Sequence, residues 1–239
     1  MGRYEQALAD FDRAIELDPD YQWAIARRGE TYRLMDRYEQ ALADFGRAVE
    51  LDPSNGWVIA SRGQSYRLMD RYEQALADFD KAIELDPQWW WAIAQRGETY
   101  LQMSRYEQAL ADFDKAIELD PSNDWIHYLQ SLAYLALGQT PQAYTQLRNA
   151  VDQVRKNIVD RRGPSNDAYN LAVYLAADGR FDEAKQELQD ALAAYPKQSW
   201  ELEVIHDLRD LASIPGVDSP KVGELIEFMS NSIPKQTLS

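Results

Sequence analysis

Cysteine is absent from the 239 residues, which excludes disulfides and thiolate metal sites. Histidine is nearly absent: His127 and His206 stand far apart, without a metal-ligand spacing, and both read as structural or surface residues. No apolar run approaches the roughly 20 residues needed to span a bilayer, and no signal segment precedes the first repeated block. Basic residues are in deficit, 25 Lys and Arg against 40 Asp and Glu, for a net charge of −15. That balance excludes a general nucleic-acid binder, whose affinity rests on clustered cations, and disfavours docking on anionic membranes. Glycines occur singly, so no phosphate-cradling loop is present. The plentiful acids recur in the same place in every block, whereas an active site needs one constellation in a perturbed environment. The expectation is therefore no enzyme, no cofactor, no metal, no nucleic acid and no membrane. A cytoplasmic protein fits the missing cysteines.

What is present is repetition. RYEQALADFDKAIELDP occurs letter for letter at 71–87 and 105–121. It stands at 3–19 with Arg13 for Lys, and at 37–53 with Gly46, Arg47 and Val49 changed. The period is 34 residues, the mark of a solenoid built from identical supersecondary units. Hydrophobics at 45% suffice for continuous burial between such units.

Within 56–89, Ile59, Arg62, Gly63, Tyr66 and Met69 fall at helical spacing. Tyr72, Ala75, Leu76, Phe79, Ala82, Ile83 and Leu85 form a second amphipathic stripe. Asp70 and Ser104, each followed by Glu three residues on, predict N-caps for the second helices. Pro87 ends that helix, because proline offers no N–H and clashes with the turn before it. Gly29, Gly63 and Gly97 lie inside first helices at about 1 kcal/mol each relative to alanine. A repeated cost of that kind implies close packing, expected against Ala41, Ala75 and Ala109. The unit is helix, tight turn, helix.

Gly63, Tyr66, Tyr72, Ala75, Phe79, Ala82 and Pro87, in register through successive units, resemble the tetratricopeptide repeat. Two departures stand out. Arg28, Arg62 and Arg96 replace a usual leucine, and Ile25, Ile59 and Ile93 replace a usual tryptophan, with Trp23, Trp57, Trp91 and Trp125 two residues earlier. The resemblance implies an all-α, right-handed α-α superhelical solenoid of antiparallel helix pairs with C-terminal capping helices.

The expected organisation runs as follows: 1–21 the second helix of a truncated unit; full units at 22–55, 56–89 and 90–123; a divergent unit at 124–164 with an extended second helix. A further divergent unit spans 165–198, capping helices 199–233, and 234–239 a frayed tail. A break is expected at Gly163-Pro164-Ser165-Asn166. The start in mid-unit reads as a fragment of a longer array.

Adjacent full units agree at 24 of 34 positions, and most differences fall on the first helix or the joining loop. In the family the first helices line a concave groove and the second cover the back. A constant back with a changing inner face points to recognition of a protein or peptide partner on that groove. Candidate contacts are Trp23, Arg27, Glu30, Arg33, Trp57, Ser61, Gln64, Arg67, Trp91, Gln95, Glu98, Trp125 and Tyr128, with Arg27, Arg33 and Arg67 expected on the exposed side. Arg28, Arg62 and Arg96 are expected to pair with acids of neighbouring helices instead. The tryptophan series reads either as packing between units or as an aromatic ladder of binding anchors. Trp89 and Trp90, beside Trp91, form a candidate exposed aromatic turn.

Family members that clamp chaperone C-terminal carboxylates use Lys and Asn on these helices. Here Ala26, Glu30, Ser61 and Gln64 occupy comparable places, so that clamp is not expected. Near-identical units resemble arrays attached to bacterial signalling proteins. The resemblance implies an interaction module of a larger signalling protein. The alternatives are a spacer that self-associates through its truncated N-terminal face, or the sensor end of an NTPase-type switch.

Overall fold

The computed structural model describes residues 2–160, 166–194 and 196–232. Residues 163–165 of the expected break and the tail from 234 lie outside them. All regular elements among the described residues are α-helices, and the chain divides into two compact units, Met1–Leu119 and Asp120–Ser239.

The first unit holds α1 (Gly2–Leu17), α2 (Gln22–Arg33), α3 (Tyr38–Leu51), α4 (Gly56–Arg67), α5 (Tyr72–Leu85), α6 (Trp90–Gln102) and α7 (Tyr106–Leu119). Consecutive helices pack on one another, and α2, α4 and α6 also touch in a row. The periodic apolar positions form the core. Phe45, Phe79 and Phe113 are fully buried, each contributing about 1.5–3 kcal/mol by leaving water. Small residues interleave with them: Ile25, Ala26, Ala41, Phe45, Ala48 and Val58 form one cluster, and Ile59, Ala60, Ala75, Phe79, Ala82 and Ala92 the next. Each cluster borrows a residue or two from the following first helix, so burial is continuous along the unit.

Gly29, Gly63 and Gly97 do lie where helices approach closely; of the alanines expected beside them only Ala75, at Gly63, is among the nearest neighbours, and the Asp-Phe pair one turn on comes closer. A Cβ on Gly97 would meet Phe113 at 2.8 Å and the Cβ of Asp112 at 3.1 Å. On Gly63 it would meet the Cβ of Asp78 at 3.1 Å, Phe79 at 3.2 Å and the carbonyl oxygen of Ala75 at 3.3 Å. The second helix comes nearest one turn beyond the alanine.

The tight turns also differ from expectation. Asp70 and Ser104 do not cap the helices that follow: α5 is preceded by Arg71, and no side chain bonds its first turn. Asp36, Asp70 and Ser104 instead have φ near +57°, the left-handed residue that closes the helix before. The Arg71 N–H donates to the Tyr66 carbonyl at 2.9 Å and the Asp70 N–H to that of Arg67 at 3.0 Å. The same pair recurs from Arg37 to Tyr32 and from Arg105 to Tyr100. This is the Schellman closure, in which the carbonyls orphaned at a helix end are satisfied by the turn. At the other joint Asp52 is extended, and its carboxylate accepts from the N–H and hydroxyl of Ser54, which holds the Asp-Pro turn closed and keeps the carboxyl below its ordinary range. Asn55 then caps α4 by accepting from the N–H of Val58 at 3.2 Å.

The second unit holds α8 (Asp124–Ala136), α9 (Thr140–Asp160), α10 (Asp167–Ala177), α11 (Phe181–Ala194), α12 (Gln198–Ser213) and α13 (Ser219–Ser232). Its helices pair as α8 with α9, α10 with α11 and α12 with α13, while α12 packs on α10 and α13 on α11. Gly138 and Gly179 take the left-handed position that Asp70 holds in the first unit. His127 is buried, its ring nitrogens 2.8 Å from the Gln146 side-chain oxygen and 3.1 Å from the Pro121 carbonyl oxygen, which is a structural role. His206 is exposed.

Candidate functional site

The row of α2, α4 and α6 carries the positions that differ between repeats, and its charges can be accounted for one by one. Arg28, Arg62 and Arg96 turn toward the second helices. Each lays its guanidinium against a carboxylate sixteen residues on: Arg28 against Asp44 at 2.6 and 2.8 Å, Arg62 against Asp78 at 2.7 and 2.8 Å, Arg96 against Asp112 at 2.6 and 2.8 Å. Arg28 also reaches Asp12 at 2.7 Å and Arg96 reaches Asp80 at 2.6 Å, tying each unit to the one before. Bidentate pairing raises the affinity of all three guanidiniums for their protons, and they stay charged. The arginines that replace the usual leucine are thus structural. Asp44, Asp78 and Asp112 are buried, and each needs its partner, because an unpaired buried carboxylate is costly.

Arg33 and Arg67 occupy equivalent positions yet choose different acids. Arg33 pairs with Glu30 on its own helix at 2.7 Å. In the next repeat that acid is Gln64, so Arg67 reaches across to Glu98 of α6 at 3.0 Å and to the Gln95 side-chain oxygen at 3.3 Å. Arg67 is buried, contrary to its expected exposure, because this crossing draws it down between α4 and α6. Ser61 and Gln95 are buried as well. The Ser61 hydroxyl donates to the Trp57 carbonyl one turn back at 2.8 Å, and the Gln95 amide donates to Glu98 at 3.3 Å. Gln64 and Glu98 are half-buried.

Arg27 is exposed and differs from the others. Among the described residues no carboxylate pairs with it. Its guanidinium lies over the Trp57 ring at 4.6 Å and near Trp23 at 5.9 Å. Trp23 is 51% exposed and meets Phe11 edge-on and Tyr21 tilted, both at 5.9 Å. Trp57 is half-buried against the preceding cluster, and Trp89 and Trp91 pack on the cluster after it. These three indoles therefore contribute to packing between units. The triplet is not an exposed turn: Trp89, Trp90 and Trp91 are all half-buried. Trp89 precedes α6 in a non-helical conformation, φ −79° and ψ 86°, which lets its ring stack on Trp91 at 5.3 Å.

In the second unit Trp125 is half-buried and Tyr128 is buried. Tyr128 stacks on Tyr174 at 4.7 Å, and the Tyr174 hydroxyl donates to Asp124 at 2.8 Å, which also accepts from the Asn157 amide at 3.0 Å. Burial, more than the nearby Asp207, pushes the Tyr128 hydroxyl well above its ordinary range. For Tyr174 burial again leads, ahead of Asp124. Sequence reading missed this polar knot because its members are separated by up to fifty positions and repeat in no other unit.

Family models described as tetratricopeptide repeat match residues 1–21, 23–55, 58–88 and 168–195, and one described as TPR repeat matches 97–138. Together they cover more than half of the chain. The chain belongs to the tetratricopeptide repeat family. Its helix pairs are those of a tetratricopeptide α-α repeat, and solved structures share them. A crystal structure of MamA aligns with a TM-score of 0.61 at 20% identity, covering 66% of this chain and 92% of that one. MamA 41-end from Desulfovibrio magneticus RS-1 gives 0.61 at 17% identity, over 65% and 88%. YrrB, described as a TPR protein with an unusual peptide-binding site, gives 0.53 at 21%, over 81% and 96%. At these identities the likeness is one of fold. No curated protein matches the chain. Among the described residues no helix is long and apolar enough to cross a membrane, and no group of three or more metal-ligating side chains forms.

Proposed function

We propose that this tetratricopeptide chain is a protein-interaction module that receives a partner segment along the α2–α4–α6 row. One observation carries the reading. The second helices are near-constant in sequence and commit Asp44, Asp78 and Asp112 to internal Arg–Asp pairs, while the first helices vary at Arg27, Ser61 and Gln95 and at Glu30, Gln64 and Glu98. Exposed Trp23 and Arg27 supply the aromatic and cationic character that dominates binding hot spots, and Leu68 adds exposed apolar surface. That YrrB is described by a peptide-binding site agrees with a peptide partner. Membership in a larger signalling protein, with a partner met in the cytoplasm, is the context we favour.

Peptides selected on the full chain from a display library test the reading. Leu68→Glu, at the C-cap of α4, should weaken their binding about tenfold or more, since it places a desolvated charge in the contact. Ala77→Glu, exposed on α5, should leave it unchanged. Equal binding by wild type and Leu68→Glu, or loss only in Ala77→Glu, contradicts it.

A second reading, self-association, draws on α1, where Leu17 is 73% and Tyr4 41% exposed. Sedimentation across concentration distinguishes the two, because a strict monomer rules out assembly through α1.

A further inference from the structure

We infer that Arg27, set against Trp57 and Trp23, anchors an acidic side chain of the bound segment, one whose neighbouring residue is apolar. The inference rests on the interaction-module reading and gives that module its selectivity. It follows from the charge account of α2, α4 and α6. Six arginines project from these helices. Arg28, Arg62 and Arg96 are held by Asp44, Asp78 and Asp112, Arg33 by Glu30, and Arg67 by Glu98. Arg27 alone among them has no carboxylate among the described residues.

Its position is also suited to taking one. A guanidinium over an indole uses its π-face, while its N–H donors point outward in the plane and match the two oxygens of a carboxylate. The Trp57 ring at 4.6 Å restrains the guanidinium before any partner arrives, so less freedom is lost on binding. Trp23, half exposed one turn before Arg27, offers an apolar surface to the next residue of the segment. The site is open along the helix row rather than a closed pocket, which suits a side chain in the middle of a segment and not a chain end.

The rest of the chain sharpens the choice. At a net charge of −15 it repels acidic peptides generally, and would hold one only where a cation is unmatched. Arg27 would then set the register of the segment.

The test uses the full chain and a library of N-acetylated, C-amidated heptapeptides, with a parallel set bearing free C-termini. Wild type should enrich Asp or Glu next to Leu, Phe or Trp among the amidated peptides. Arg27→Gln should weaken the enriched peptides about tenfold or more, and Arg27→Glu should shift enrichment toward Lys and Arg. Trp23→Ser should remove the apolar preference while retaining the acidic one. Arg27 and Trp23 are both exposed, so circular dichroism should report an unchanged fold. If Arg27→Gln and Arg27→Glu bind the wild-type set equally well, the anchor assignment falls and the module reading stands. Enrichment confined to free C-termini overturns the side-chain assignment. If no peptide binds wild type, the module reading falls and carries the anchor with it.

Discussion

Arg62 holds Asp78 through Nε and Nη2, at 2.8 and 2.7 Å, but among the described residues it lacks the second carboxylate that Arg28 finds in Asp12 and Arg96 in Asp80. The reason is one residue. Position 46, sixteen before Arg62, is glycine where the other repeats carry aspartate.

Gly46→Asp should complete the ladder. Gly46 lies within α3, and a Cβ there would meet nothing within 4 Å, so the side chain fits without displacement. Both Gly46→Asp and Gly46→Asn gain helix propensity over glycine, by a few tenths of a kcal/mol. Their difference isolates the charge: Asp should exceed Asn by about 0.5–1 kcal/mol in denaturant unfolding, and the gap should shrink in high salt. Equal stabilities would mean Arg62 does not use the second acid.

Helical glycines in this chain should respond to alanine with opposite signs. Gly46→Ala should stabilise by about 1 kcal/mol. Gly97→Ala, whose Cβ would sit 2.8 Å from Phe113 and 3.1 Å from the Cβ of Asp112, should destabilise by about 1–3 kcal/mol. Thermal unfolding of the two variants in parallel checks the pair.

Ser104 separates two accounts of the tight turn. With φ at +57° it closes α6, so Ser104→Gly should stabilise by roughly 0.5–1 kcal/mol by relieving the left-handed strain. If Ser104 capped α7, the same change would cost stability. Ser104→Val, β-branched at positive φ, should be the most harmful of the three forms.

That case marks where the sequence was readable and where it was not. The period, the helix pairs and the burial of Phe45, Phe79 and Phe113 were legible because apolar spacing is a local, repeated signal. The role of Asp70 and Ser104 was not, because a polar residue followed three positions later by Glu also suits an N-cap, and only φ separates the two. Pairing of Arg28, Arg62 and Arg96 with acids was legible from their misfit in a core position. Burial of Arg67 was not, since it depends on Gln64 removing the acid that Glu30 supplies to Arg33. Nothing local announced the Tyr128–Tyr174 stack.

Alkaline titration should show graded tyrosine ionisation. Tyr38 donates to Asp36 at 2.8 Å, and burial, then that bond, pushes its hydroxyl up to about 12. A folded-state value raised above the ordinary 10 means stability is fully present below pH 10 and is lost as pH climbs toward 12. Tyr128 and Tyr174, whose burial pushes both hydroxyls well above the ordinary range, should ionise only as the second unit unfolds. Absorbance at the tyrosinate band and circular dichroism, followed together, should change in concert for that fraction. Early ionisation of every tyrosine with the helices intact would contradict the buried stack.

The central claim is that partners bind on the α2–α4–α6 row. Amide hydrogen exchange on the full chain, with and without a saturating display-selected peptide, reads this directly. Protection should appear at α2, α4 and α6 around Trp23, Arg27 and Leu68, with α3, α5 and α7 unchanged. Protection confined to α3, α5 and α7 would place binding on the constant acidic helices and contradict the account.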